Sequence, residues 1–517
     1  MTLAELTGSA FRKSIFKRNG VMKMSETILN LVQEKILDGV LEEFKKLAAI
    51  PRSSKHEGRV SNFLKNLFEK FGLDVVQDDF KNIIAEIPAS PGKENSPLTI
   101  LQAHMDMVCV AEDGYKFNPL TDPIKLIRGE KYLEAQGTSL GADDGIGIAE
   151  ILYLVKNRDA FPHGKLRVIF TVDEEEGMSG ATNLDKKFLA DAQFLINCDS
   201  EKFGELVAGS AGSVHATFWR ELHYVRPDTK LPYNMEIKIS GLRGGHSGEE
   251  ISSGRINAIK IASHIMRQVT LRGKIRLSNL RGGRAFNVIP DSAELVFATD
   301  IKAEVVQKIC AEIEHKLKRI YATTEPNVKI GAQIVKRPDK VLHIKDYDSL
   351  ANLLTIIHSG VYIMSPENPA QVLASANLGV VRMDDDIVEL KILPRANSDE
   401  MVEEFIDGFG QAARLCAFET KFSTPSPAWS FNPDSKLLKF AEEIFTEQNG
   451  YAPAVKTIHA GLETSLFAKK NPALDIISIG TTNENIHSPN ERLHLETVAP
   501  HVKFIAGLLE KISVTEF

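Results

Sequence analysis

At 517 residues the chain is too long for a single ordinary core, so two or more domains are expected. Its 43% apolar and 25% charged residues suit a soluble globular protein, its net charge of −7 gives no pull toward nucleic acid or an anionic membrane, and no apolar run approaches the roughly 20 residues of a membrane span. The four cysteines are scattered without a CxxC pair, which points to neither a disulfide framework nor a thiolate zinc site and favours a reducing, cytoplasmic setting.

Residues 1–24 include Arg12, Lys13, Lys17 and Arg18 but lack the apolar core of a signal peptide. They read as an N-terminal tail, with Met22 and Met24 as alternative starts. From residue 25 the pattern is α/β. Helical periodicity covers 28–49, and a second amphipathic helix within 54–72 stops at Gly72. Strand patterns follow at 74–79, 82–87 and 98–103, then a helix at 146–157 and strands at 165–172 and 193–198. Such alternation predicts a mostly parallel sheet sandwiched by helices, with ligands at the carboxyl ends of its strands.

The texture changes near 207. A strand at 235–241 and a helix at 256–269 precede a weak internal repeat, in which 285–334 and 375–424 each read strand, strand, helix, strand. After 425 the α/β pattern returns, with a helix at 436–450 ended by Gly450, a strand at 474–480 and a last helix at 497–512. The expected organisation is a discontinuous catalytic domain (25–207 and 426–517) interrupted by an α+β lid domain (208–425) built of two similar ββαβ halves. Inserted domains of this kind commonly move relative to the core.

The apolar runs end in histidine and acidic clusters. They are His104-Met105-Asp106, GADDG at 141–145, DEEEG at 173–177 and NCDSE at 197–201, with His487 following the 474–480 strand. Taken singly, each cluster also reads as a polar turn. Together, histidine and carboxylate donors at the ends of one sheet suit Zn²⁺ or a similar divalent ion. Adjacent carboxylates in DEEEG allow one to ligate while its neighbour serves as a base. Asp106 can orient His104 from behind.

HMDMV, LGADDGIGIA, TVDEEEGMSGA, INCDSE, GLRGGHSG, IHAGLE and IHSPNE together resemble the di-zinc metallopeptidases that include aminoacylases, carboxypeptidase G and peptidase T. The resemblance runs from about Ser25 to the C-terminus, and is strongest to the members of that family that split carnosine-like Xaa-His dipeptides. It implies two Zn²⁺ per subunit, with Co²⁺ or Mn²⁺ suiting the same donors. His104 and Asp199 would hold one ion, Glu175 and His487 the other, and Asp143 would bridge them. Glu174 would be the general base, taking a proton from the bridging water and passing it to the leaving amine. Asp106 would orient His104, and His246 of GGHSG would stabilise the oxyanion. Asn287 and Arg395 would contact the substrate backbone or carboxylate, and His459 and Glu463 would line the site near the free amino terminus.

The implied activity is zinc-dependent hydrolysis of unblocked dipeptides. A related aminopeptidase, tripeptidase or N-acyl-amino-acid hydrolase is the alternative within the family, and a non-catalytic metal- or peptide-binding protein the alternative outside it. The implied partner is a small peptide, with no nucleic acid or membrane and with a homodimer allowed. In dimeric relatives with a single lid unit, the oxyanion histidine comes from the other subunit; a doubled lid implies that His246 acts within its own chain. Ile486 and Asn490 depart from the family's usual Pro and Asp around the last histidine, which bears on that loop's shape.

Overall fold

A computed structural model describes residues 26–516 apart from 367, 370 and 385. The basic N-terminal segment and its alternative starts lie outside the described residues. The chain divides into two compact units. One takes the described residues up to Gly209, then Phe431–Lys456 and the described residues from Leu462; the other takes Ser210–Ser430 and Thr457–Gly461.

The first unit is built on an eight-stranded sheet. Its spatial order is Asp74–Gln77, Ile83–Ile87, Leu166–Thr171, Thr99–His104, Phe194–Asn197, Asp475–Ser478, Glu205–Ser210 and Ala454–Ile458. The four strands from Leu166–Thr171 to Asp475–Ser478 run parallel, and antiparallel strands flank them. Thr99–His104, Leu166–Thr171 and Phe194–Asn197 are buried at every position, as parallel strands covered on both faces require. Helix Ala142–Lys156 is apolar almost all round, because it packs on the Thr99–His104 strand and also against helices Glu26–Ala48 and Leu495–Val514. Its Val155, Ile151 and Ile148 join Phe44, Phe170 and Phe194 in one continuous core.

The second unit carries a ten-stranded sheet of antiparallel pairs with a core of its own. Its main path runs Lys329–Ile334, Tyr233–Ser240, Ala293–Thr299, Ile275–Gly283, Val372–Asp384, Ile387–Ala396, Ala216–Glu221, Glu419–Phe422. The order is symmetric about the central pair. Ile275–Gly283, Ala293–Thr299, helix Ala303–Ile320 and Lys329–Ile334 match Val372–Asp384, Ile387–Ala396, helix Asp399–Leu415 and Glu419–Phe422. Each half also takes in one further strand, between its second strand and its edge. In the first half it is Tyr233–Ser240; in the second it is Ala216–Glu221, which the chain makes before the whole first half.

One expected strand is displaced. The first strand of the first half is Ile275–Gly283, not the apolar stretch at 285–290. That stretch pairs with the GGHSG loop instead: Ser247 N–H donates to Asn287 O at 2.8 Å and Ile289 N–H to Gly245 O at 2.9 Å. Pro290 has no N–H to give a ladder, so the segment serves a loop.

Candidate metal centre

In the first unit the parallel strands set their carboxyl ends side by side, and the clusters meet there. His104 closes its own strand, Glu174 and Glu175 follow Leu166–Thr171, Asp199 follows Phe194–Asn197, and His487 sits in the loop beyond Asp475–Ser478. Asp143 lies in the first turn of helix Ala142–Lys156, where Asp143 and Asp144 depart from helical dihedrals. His487 adopts a left-handed backbone with φ 58°.

Asp143 lies between the two histidines. Its Oδ1 is 3.1 Å from His104 Nε2, and its Oδ2 is 3.2 Å from His487 Nε2. Asp199 approaches His104 Nε2 at 3.3 Å, and Glu175 approaches His487 Nε2 at 2.9 Å. Donor atoms of His104, Asp143 and Glu175 all lie within 4.8 Å of one another, as do those of His104, Asp144 and Asp199. Asp144 has a backbone task as well, since its Oδ2 accepts the His104 N–H at 3.2 Å.

Crowded carboxylates set the charges here. Burial works against a proton on His104, but Asp199, Asp106 and Asp143 outweigh it and hold the imidazole well above its ordinary range. Burial likewise opposes His487's charge, yet Asp143 and Glu175 raise it to about 11. Burial pushes the Asp199 carboxyl up to about 7 against the pull of His104. Asp143 is held low, because its hydrogen bonds to both histidines overcome the cost of burial. Burial raises Glu174 well above the usual carboxylate range, with Asp199, Glu463 and Glu175 adding to it against the pull of His104. Oxygen and imidazole donors crowded among acidic groups fit a divalent cation.

Asp106 accepts the Ser54 hydroxyl at 2.8 Å and the Glu174 and Glu175 N–H groups at 3.0 and 3.2 Å, with His104 Nδ1 at 3.4 Å. It therefore ties the HMD turn to the DEEEG turn. Glu463 opens helix Glu463–Lys470 and is fully buried. Its Oε2 accepts Thr171 Oγ1 at 2.6 Å and Gln102 Nε2 at 2.7 Å, and burial raises its carboxyl to about 8. Cys198 is a buried free thiol that burial keeps protonated.

Two residues of the centre escape sequence reasoning. Arg52 is buried and donates to the carbonyls of Met105, Asp106 and Gly141. Glu491 is buried and accepts backbone N–H groups of the GADDG turn. Arg52 follows the first helix with no periodic signal. Glu491 is the final letter of IHSPNE and carries no metal-ligand signature.

The second unit holds His246, Asn287, Arg395 and His459. Arg395 is buried on the Ile387–Ala396 strand, its Nη2 3.5 Å from His246 Nε2, and burial lowers its guanidinium to about 10. His459 Nε2 lies 2.7 Å from Ser375 Oγ, and burial, with Arg395 and His246 adding to it, lowers the imidazole to about 3. Glu250 accepts the His246 N–H at 2.8 Å. Asn287 is exposed beside the GGHSG loop, which its carbonyl braces. Within this unit the structure brings His246, Arg395 and His459 together.

The sequence profile of Peptidase family M20/M25/M40 matches residues 100–511. A cytosol non-specific dipeptidase of Escherichia coli is 32% identical over 472 residues, which is 91% of this chain and 96% of that protein. The crystal structure of an aminoacylhistidine dipeptidase from Vibrio alginolyticus superposes with a TM-score of 0.82 at 30% identity, covering 92% of this chain and 96% of that one. An aminopeptidase PepT from Bacillus cereus shares the fold, with a TM-score of 0.53 at 17% identity over 92% of this chain and 98% of that one.

Proposed function

The chain belongs to peptidase family M20/M25/M40, and from that premise we propose that it is a metal-dependent dipeptidase acting on unblocked dipeptides in the cytoplasm. The observation that carries this is Asp143, whose two oxygens face different histidines, each of which has a further carboxylate beside it. His104 and Asp199 would hold one ion, Glu175 and His487 a second, with Asp143 shared. Zn²⁺ suits these donors best, and Co²⁺ or Mn²⁺ suits them too. Such ions polarise a carbonyl and lower the pKa of water.

Glu174 stands beside Glu175 on the DEEEG turn, half-buried and raised in pKa by its surroundings. It takes a proton from water as the water oxygen adds to the scissile carbonyl carbon. It returns that proton to the nitrogen as the C–N bond breaks, so that an acid and a free amine leave. Asp106 fixes the turn through the Glu174 and Glu175 N–H groups. In the second unit, His246 would steady the oxyanion, and Arg395 with Asn287 would take the substrate's terminal carboxylate or backbone. His459 and Glu463 would line the end that receives the free amine.

A panel of free and N-acylated dipeptides, varied at the C-terminal residue and run on protein of measured metal content, tests the proposal. Turnover of unblocked dipeptides is expected, and the panel shows whether the preference is broad or narrows to C-terminal histidine. Turnover of acylated substrates alone would move the assignment to an N-acyl-amino-acid hydrolase.

A further inference from the structure

The turn that carries Asp143 is gripped on both edges by charged groups outside the ligand set. Glu491 is 2% exposed. Its Oε2 accepts the N–H groups of Leu140 at 2.7 Å and Gly141 at 2.9 Å; its Oε1 accepts Ala142 N–H at 2.8 Å and Asp143 N–H at 3.5 Å. Arg52 takes the opposite edge. Its Nη2 donates to Gly141 O, while Nη1 donates to Met105 O at 3.0 Å and Asp106 O at 2.9 Å. One guanidinium thus joins the Asp143 turn to the backbone of the HMD motif.

The glycines of GADDG admit that guanidinium. A Cβ at Gly141 would lie 2.6 Å from Arg52 Nη2, and one at Gly145 would lie 2.4 Å from it. Gly141 also has φ 68°, which a larger residue adopts only under strain. Burying a carboxylate and a guanidinium is costly away from water, and the bonds described here give both charges to backbone. Glu491 also lies four residues beyond His487 on the same loop. That loop would therefore supply one ligand and fix the backbone of another.

We propose that Arg52 and Glu491 are positioning residues, a two-charge clamp on residues 140–143 that presents the Asp143 carboxylate to both histidines. The inference rests on the metal-centre assignment above. An amide cannot replace Glu491, because its NH₂ group would face backbone N–H donors. Lysine cannot replace Arg52, because a point donor does not span three carbonyls.

The test is a zinc titration of metal-free, full-length protein by competition with a chromophoric chelator, with thermal unfolding of the same samples. Wild type is expected to take up two zinc ions. Glu491→Gln is expected to bind at least one of them about 10- to 100-fold more weakly while still unfolding cooperatively, with activity returning in excess zinc. A folded Glu491→Gln protein with wild-type affinity for both ions would overturn the clamp. Should Glu491→Gln not fold, Arg52→Lys is read the same way: weakened zinc binding supports the clamp and wild-type binding overturns it. Failure of wild type to bind any zinc would instead remove the metal assignment on which the clamp depends.

Discussion

The backbone N–H of Glu174 donates to Asp106 Oδ1 at 3.0 Å, so the residue two places after His104 holds the turn that carries Glu174 and Glu175. Asp106→Asn sets an amide donor against these N–H groups and removes the charge beside His104. It is expected to lower kcat or metal affinity by about 10- to 100-fold, read from steady-state turnover and metal content together.

Glu174→Gln keeps the size of the side chain and leaves His104, Asp143, Glu175, Asp199 and His487 intact. The variant is expected to retain metal in elemental analysis while kcat falls by about 10³-fold or more, since proton transfer and electrostatic assistance are both lost. Turnover like wild type would remove Glu174 from the role of base.

Metal affinity is expected to rise with pH. Without metal, His104 is held protonated and His487 titrates only at about 11, whereas a ligating imidazole must be neutral. Binding at neutral pH therefore expels protons, and affinity falls as pH drops. Competition titrations between pH 6 and 8 are expected to show tighter binding by about tenfold per pH unit for each proton displaced. Proton release in unbuffered solution is the companion measurement, and a flat pH profile would contradict these protonation states.

Arg395 is buried with its guanidinium lowered to about 10, so it stays charged at neutral pH. Arg395→Lys keeps a charge but loses the planar fork. The expected outcome is a KM increase of about tenfold or more with a smaller change in kcat, shown by initial-rate kinetics on one dipeptide.

The second unit's sheet is doubled about its central strand pair, and the expectation that His246 acts within its own chain is tested by mixing variants. Mixing His246→Ala with Glu174→Gln protein is then expected to restore no activity. Recovery toward about one quarter of wild-type turnover, the value for random pairing of equal amounts with one competent site in each mixed dimer, would show that the histidine crosses between subunits.

Much of the fold was legible. Thr99–His104, Leu166–Thr171, Phe194–Asn197 and Asp475–Ser478 stand out as apolar runs because strands buried on both faces need no polar alternation. The 285–290 stretch misled because its apolar residues serve a loop pairing with GGHSG, which local pattern does not distinguish from a ladder. Arg52 and Glu491 gave no local sign, since each acts on backbone far away in sequence.

By itself the sequence determined where chemistry gathers: histidines and acids at the ends of apolar runs, with donors that suit a divalent ion. It did not distinguish Asp143 from Asp144, or Glu174 from Glu175, because neighbouring carboxylates on a turn carry the same signal and only the family resemblance chose between them. Tertiary structure decided how each one points. Asp143 faces both histidines while Asp144 turns to the His104 N–H, on a turn whose hydrogen bonds come from Arg52 and from Glu491, the latter 350 positions beyond Gly141. The direction of a side chain follows its backbone, and this backbone is fixed by partners that only the folded chain brings near.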